Sequence, residues 1–516
     1  MRPTLSACVL ASALLLACGD NGTDESTDEV VGETEEPLQP ICEVPLAERV
    51  RAEDIFVHLQ ALDQLAASNE GNRAAGSPGY AASVDYVEAQ LQAAGYQVER
   101  WDFSFDRYVE TQPTQLSLSG EQSGPWAALE LRVDYGLANW SPSGQVAAPL
   151  QAVDLDLGLD NQSTSGCEAE DFAGFTAGNI ALLQRGSCNF LVKAENAEAA
   201  GAVGVLLFNQ GDRDDRMGLF NASLGSSNEL SIPVLTATYE IGVAIADAGA
   251  LEVVTAEIFV DAGPVATPTQ NLIAETAGGD PNHVVMVGAH LDSVPAGPGI
   301  NDNGSGTGLV LELARQLRDC SPRNKVRFAW WGGEEWGLQG SRAWVSARSE
   351  DELAALALYL NFDMVASPNY VRAIYDGVGG PAGSDAIYQA FLARFEEQAL
   401  TTTTTPFAGN SDYAPFVEAG IPAGGLFTGA GASKSEGEAT LFGGEAGVAA
   451  DACYHQACDT QDNINTEVLG QNALAAASVL EQFAGDPSAL AEDPDAALGS
   501  VPAFAEPEHA CHLLVR

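Results

Sequence analysis

Two imidazoles and five carboxylates in this chain have the types and the spacing to hold a metal cation and use it. His290 and Asp292 follow the apolar run Val284-Val285-Met286-Val287, and Asp302 lies in the glycine-rich stretch Asn301-Asp302-Asn303-Gly304-Ser305-Gly306. Glu334 and Glu335 follow the apolar run 326–331, Asp363 follows Leu360-Asn361-Phe362, and His455 sits in Cys453-Tyr454-His455. Taken singly, such residues are ordinary, because an aspartate after a strand is usually a turn or helix cap. The adjacent glutamates change the argument. Held side by side between Trp330-Trp331-Gly332-Gly333 and Trp336-Gly337, they repel each other unless a cation takes at least one of them. Imidazoles mixed with carboxylates suit zinc, and two zinc ions about 3.5–4 Å apart are a known hydrolytic arrangement. The competing signatures His-Glu-x-x-His and Gly-x-Ser-x-Gly are absent from the sequence, which removes two other hydrolase classes.

These residues need strands to end beside one another. The run 284–287 is short, continuous and apolar, as a strand buried on both faces requires. Residues 326–331 and 359–362 read the same way, and 309–317 has helical spacing. Strands alternating with helices predict an α/β fold, a mixed central sheet with helices on both faces. Open sheets of this kind hold ligands at the carboxyl ends of their strands, where the chemistry-bearing residues fall. Further upstream, Val84, Val87 and Leu91 share one face of a helix over 83–94 that Gly95 would stop. Trp101, Phe103 and Phe105 alternate with Asp102 and Ser104 as in a half-buried strand. From 111 to 267 the texture changes to short apolar runs punctuated by Gly, Pro, Ser and Asn, which predicts an inserted β-rich unit.

With 22 Lys+Arg against 72 Asp+Glu, the 516-residue chain carries a formal charge of −50. That balance excludes a nucleic-acid partner, since phosphate contacts need clustered basic groups. No apolar run reaches the roughly 18 residues of a membrane span. Residues 1–17 instead read as a signal peptide: Arg2 precedes a short apolar stretch that ends in Leu15-Leu16-Ala17-Cys18, a lipoprotein-type cleavage box that would leave Cys18 lipidated. Residues 18–41, acidic and without a basic side chain, read as a disordered tether. Residues 486–516 read as a low-complexity tail. The protein is therefore expected to be exported and anchored at the cell envelope by lipid, and disulfides are permitted there.

The segments around the candidate ligands resemble, in order, the motifs of the dizinc aminopeptidases of metallopeptidase clan MH (family twenty-eight), in particular the secreted bacterial leucyl aminopeptidases. They are Gly288-Ala289-His290-Leu291-Asp292-Ser293, the 301–306 turn, Gly333-Glu334-Glu335-Trp336-Gly337, Asn361-Phe362-Asp363-Met364 and Cys453-Tyr454-His455. The likeness continues through Ser411-Asp412-Tyr413-Ala414-Pro415-Phe416 and 424–431. It implies that Asp302 bridges two Zn2+ ions, with His290 and Asp363 completing one site and Glu335 and His455 the other. Asp292 would stand behind His290 and accept its other N–H, and the Asp302–Asn303 peptide would be cis. Glu334 would be the general base acting on a metal-bridging water, and Tyr454 would bind the oxyanion. Met364, Gly409 and Phe427 would line the pocket for a hydrophobic first side chain of a peptide substrate. Asn410 departs from the Arg usual at its position, which puts substrate contacts in question. Within the insert, Gly166-Cys167, Asp171-Phe172, 178–182, Arg185-Gly186-Ser187-Cys188 and Lys193 resemble a protease-associated (PA) domain, which implies a Cys167–Cys188 disulfide. The expected organisation is a peptidase domain of 42–110 and 268–485 interrupted by a PA domain of 111–267. A Cys453–Cys458 bond is expected to close the loop around His455; the partners of Cys42, Cys320 and Cys511 stay open. Three activities compete within this frame: an aminopeptidase, another enzyme of the clan such as a carboxypeptidase or glutaminyl cyclase, and a non-catalytic surface binder. The complete ligand set favours the first.

Overall fold

The computed structural model describes residues 39–120, 128–486 and 490. The expected signal peptide with Cys18, nearly all of the tether, and most of the tail with Cys511 lie outside the described residues.

Strand Asp280–His290 runs parallel between Leu356–Phe362 and Asn324–Trp331. Ala423–Phe427 adds parallel beyond Leu356–Phe362, while Thr255–Glu275 joins Asn324–Trp331 antiparallel. The sheet is mixed, as the alternation of elements predicts. Both of its faces are covered, because successive side chains of a strand point to opposite sides. Val285, Val287 and Ala289 pack with Leu309, Leu313 and Leu317 of helix Gly306–Leu317 and with Ile55, Leu59 and Leu62 of helix Ala52–Ser68. Val284 and Met286 pack on the other side with Trp344 of helix Gln339–Ser346 and Phe416 of helix Ala414–Glu418. The helix expected over 83–94 spans Pro78–Ala93. It begins earlier than its apolar stripe because Ser77 caps it, its Oγ accepting the Tyr80 N–H at 3.1 Å, with Pro78 in the first turn.

Trp101, Phe103 and Phe105 do lie on one strand, Val98–Ser119, which pairs antiparallel with Thr255–Glu275 along nearly its whole length. This long ribbon carries the sheet into a second set of strands, Gly144–Ala152, Ile180–Gln184, Gly204–Phe208 and Val234–Ala237, parallel in that order. Beside these strands the insert holds two helices, Phe190–Ala199 and Tyr239–Gly249, that its Gly- and Pro-punctuated sequence does not signal. The buried clusters do not mix. Those around the central strands draw on 41–101 and 272–490, and those of the insert on 108–262. Disulfides join Cys42 to Cys320, Cys167 to Cys188 and Cys453 to Cys458. Among the described residues no helix is long and apolar enough to cross a membrane.

Candidate metal centre

Three neighbouring parallel strands deliver their carboxyl ends to one side of the sheet. His290 is the last residue of Asp280–His290, and Asp363 directly follows Leu356–Phe362. After Asn324–Trp331, the chain makes one tight turn, Glu334–Trp336, bounded by Gly333 at φ +76° and Gly337 at φ +95°. Glycine alone enters that left-handed region without strain. Asp302 belongs to the irregular turn Ile300–Ser305 ahead of helix Gly306–Leu317, and its peptide bond to Asn303 is cis. His455 comes from the loop clipped by Cys453–Cys458.

The five candidate ligands converge. Asp302 Oδ1 lies 3.3 Å from His290 Nε2, and its Oδ2 lies 3.2 Å from His455 Nε2. Each imidazole faces a second carboxylate as well: His290 Nε2 is 3.3 Å from Asp363 Oδ1, and His455 Nε2 is 3.1 Å from Glu335 Oε2. The result is two trios sharing Asp302, each with its donor atoms within 4.8 Å of one another. Mixed nitrogen and oxygen donors of this kind fit zinc. Glu335 Oε1 is buried without a hydrogen-bond partner, which a cation would supply.

Electrostatics points the same way. Burial pushes Glu334 well above the usual carboxylate range, with the Asp363 charge adding to the effect and His290 opposing it. Glu335 is raised by burial and by Asp302. Burial also acts to raise Asp302, yet hydrogen bonds to His290 and His455 hold it low. Burial should lower His455, but Glu335 and Asp302 carry it up to about 11. Carboxylates outnumber imidazoles here, and a bound cation is the ordinary relief for that excess.

Other groups fix the ligands. Ser411 Oγ donates to Asp363 Oδ2 at 2.7 Å and accepts from Asn361 Nδ2 at 2.9 Å. Asn303 Oδ1 accepts the N–H groups of Gly306 and Met364. Asp292 meets His290 Nδ1 through its backbone oxygen at 3.1 Å rather than through its carboxylate, whose Oδ1 stands 3.8 Å away. That Oδ1 accepts the Glu334 N–H at 3.1 Å instead. Tyr454 stacks on His455 with ring centroids 3.8 Å apart. Met364 is tied to Phe427 through the next residue, the Thr428 N–H reaching Met364 O at 2.9 Å. Gly409 lies on a separate turn folded over the Tyr413 hydroxyl, which also donates to Asn410 Oδ1 at 2.8 Å. Sequence reasoning gave no role to Ser411 or Asn303, although both fall inside its motifs. It passed over Arg73 and Asp459, two buried charged residues that no catalytic spacing announces.

The sequence profile of peptidase family M28 matches residues 271–480, and that of the PA domain matches residues 146–245. An aminopeptidase of Pseudomonas aeruginosa is 48% identical over 457 residues, covering 86% of this chain and 84% of the relative. The "Probable lipoprotein aminopeptidase LpqL" of Mycobacterium tuberculosis is 39% identical over 458 residues, covering 86% and 87%. Among solved structures, BSAP, a zinc aminopeptidase from Bacillus subtilis, superposes with a TM-score of 0.61 at 27% identity, over 84% of this chain and 95% of that one. With such relatives spanning most of both chains, and with the family profile covering all five segments that meet at Asp302, this chain belongs to peptidase family M28.

Proposed function

We propose that the chain is an exported, zinc-dependent aminopeptidase that removes hydrophobic, leucine-like N-terminal residues from peptides. The observation that carries the reading is Asp302, whose two carboxylate oxygens each face one imidazole while each imidazole faces its own second carboxylate. In this proposal His290, Asp302 and Asp363 hold one zinc, and Asp302, Glu335 and His455 the other. Bound zinc would supply a Lewis acid for the scissile carbonyl and lower the pKa of water. Glu334, whose pKa burial raises so that its carboxylate is a stronger base, takes the proton from the attacking water and returns it to the leaving amine. Asp292 orients that glutamate by accepting its backbone N–H. Tyr454, kept protonated by burial, donates its hydroxyl to the developing oxyanion. Met364, Gly409 and Phe427 receive the first side chain, and Asn410, already engaged by Tyr413, leaves the substrate backbone to other contacts.

The peptidase unit is assigned to 42–110 and 268–485 and the PA unit to 111–267, which contains none of the proposed ligands. Export with a lipid anchor at Cys18 is supported by the N-terminal sequence and by the name of the mycobacterial relative. One experiment tests the core of the reading: zinc counted per chain alongside hydrolysis of leucyl-p-nitroanilide. Two zinc ions with chelator-sensitive turnover are expected. Turnover that survives complete metal removal would overturn it.

A further inference from the structure

The segment 291–302 joins two of the proposed ligands, and two buried charges grip it that take no part in the proposed proton transfers. Arg73, fully buried, lies between helices Ala52–Ser68 and Pro78–Ala93. Its guanidinium donates to the backbone oxygens of Leu291, Pro298 (2.8 Å) and Gly299 (2.5 Å). Its own backbone is laced to Ser293, the N–H reaching Ser293 Oγ at 2.9 Å and the carbonyl accepting the Ser293 N–H at 3.2 Å. Gly299 has φ +62°, and a Cβ there would stand 2.3 Å from Asp302 O, so the turn closes only with glycine.

The amide side of the same turn belongs to Asp459, which is 1% exposed. Its Oδ1 accepts the Asn301 N–H at 2.8 Å and its Oδ2 the Asp302 N–H at 3.0 Å, while its backbone oxygen takes the Ile300 N–H at 3.0 Å. Three successive amides thus end on one residue. Buried amide N–H groups and a buried carboxylate each need a partner, since leaving either unpaired costs its desolvation. Asp459 directly follows Cys458 of the clipped loop that presents His455. A single loop therefore sets His455 against Asp302 Oδ2 and, four residues on, fixes the backbone from which Asp302 projects.

We propose, resting on the zinc aminopeptidase reading, that Asp459 is a positioning residue that locks the bridging ligand Asp302 to the His455 loop and so couples the affinities of both metal sites, with Arg73 holding the same turn by its carbonyls. Asp459→Asn tests this. The amide keeps the shape but offers one acceptor oxygen where two N–H groups need one each. Zinc affinity is read by competition with a chromogenic chelator, and folding by circular dichroism. A folded variant in which both zinc dissociation constants rise about 10–100-fold is expected, with turnover recovering at high zinc. Ser411→Ala is the contrast: Ser411 touches only Asp363 among the proposed ligands, so one site should weaken and the other should not. Arg73→Lys, which keeps the charge but not the three-pronged reach, should weaken both sites to a smaller extent, and it carries the test if Asp459→Asn does not fold. Unchanged affinity at both sites in a folded Asp459→Asn chain, or loss confined to one site, overturns the proposal and leaves the aminopeptidase reading standing. A wild-type chain that takes up no zinc removes both.

Discussion

Glu334 and Glu335 are joined by one peptide bond yet face different partners. Glu335 Oε2 lies 3.1 Å from His455 Nε2, whereas Glu334 Oε2 is 3.9 Å from His290 Nε2 and its N–H is spent on Asp292. In the proposed mechanism one is a metal ligand and the other a proton carrier, and isosteric substitution separates the two roles. Glu334→Gln should keep both zinc ions and lose about 10²–10⁴-fold in kcat, the usual worth of a general base. Glu335→Gln should lose zinc first, and added metal should restore part of the activity. Metal content and kcat measured on the same preparations check both; zinc loss in Glu334→Gln with full occupancy in Glu335→Gln would reverse the assignment. The residue types of this cluster were legible in the sequence because carboxylates and imidazoles gather after apolar runs. What stayed illegible was direction. Nothing in the spacing tells that Asp292 uses its backbone oxygen on His290, or that Ser411 reaches back to Asp363 across 48 positions.

At the scale of elements, periodicity located the strands that carry the centre, because burial on both faces leaves an unbroken apolar run at Val284–Val287. It failed where helices carry weak stripes. Helix Phe190–Ala199 buries Lys193 with Ala194 and Ala197, so a charged residue sits on its inner face. The Lys193 Nζ donates to Ser165 O, and burial lowers its pKa to about 8 from an ordinary 10.5. The sign of the consequence follows from linkage. Below pH 8 both folded and unfolded chains carry the charge, and the folded one bears its burial cost. Between about pH 8 and 10.5 only the unfolded chain still holds the proton, so this lysine makes stability rise with pH. Lys193→Met removes the term. The difference in Tm between Lys193→Met and wild type should therefore move in favour of wild type as pH rises from 7.5 to 10, as followed by thermal unfolding. A difference that stays flat over that range would mean that the amine is not protonated less readily in the fold.

Across the whole molecule, the Cys42–Cys320 bond spans 278 positions and could not be read from sequence, since parity allows many pairings. The change of texture in the sequence sets the expected bounds of the insert at 111 and 267. Both bounds fall on one ribbon: Glu110 pairs with Ala262, and Phe105–Glu110 depend on 262–267 for their hydrogen bonds. Cutting at 111 and 267 would strip one side of that ribbon. Removing residues 111–261 and joining Glu110 to Ala262 through a two-residue Asn-Gly turn keeps every pair from Val98 to Glu110 and suits the twist of a hairpin. Because the clusters of buried side chains on the two sides share no residue, this excision takes nothing from the central core and leaves Tyr108 and Ala262, which belong to the insert's cluster, without the side chains they pack against. The shortened chain should bind zinc at the wild-type stoichiometry, since none of the proposed ligands is removed. If the insert shapes access to the centre, the shortened chain's kcat/KM for leucyl-p-nitroanilide should be kept better than that for peptides of several residues. Metal analysis and the two substrate series measured side by side decide the matter. A shortened chain that folds but binds no zinc would show that the insert helps to build the centre, and equal losses on short and long substrates would show that it does not shape access.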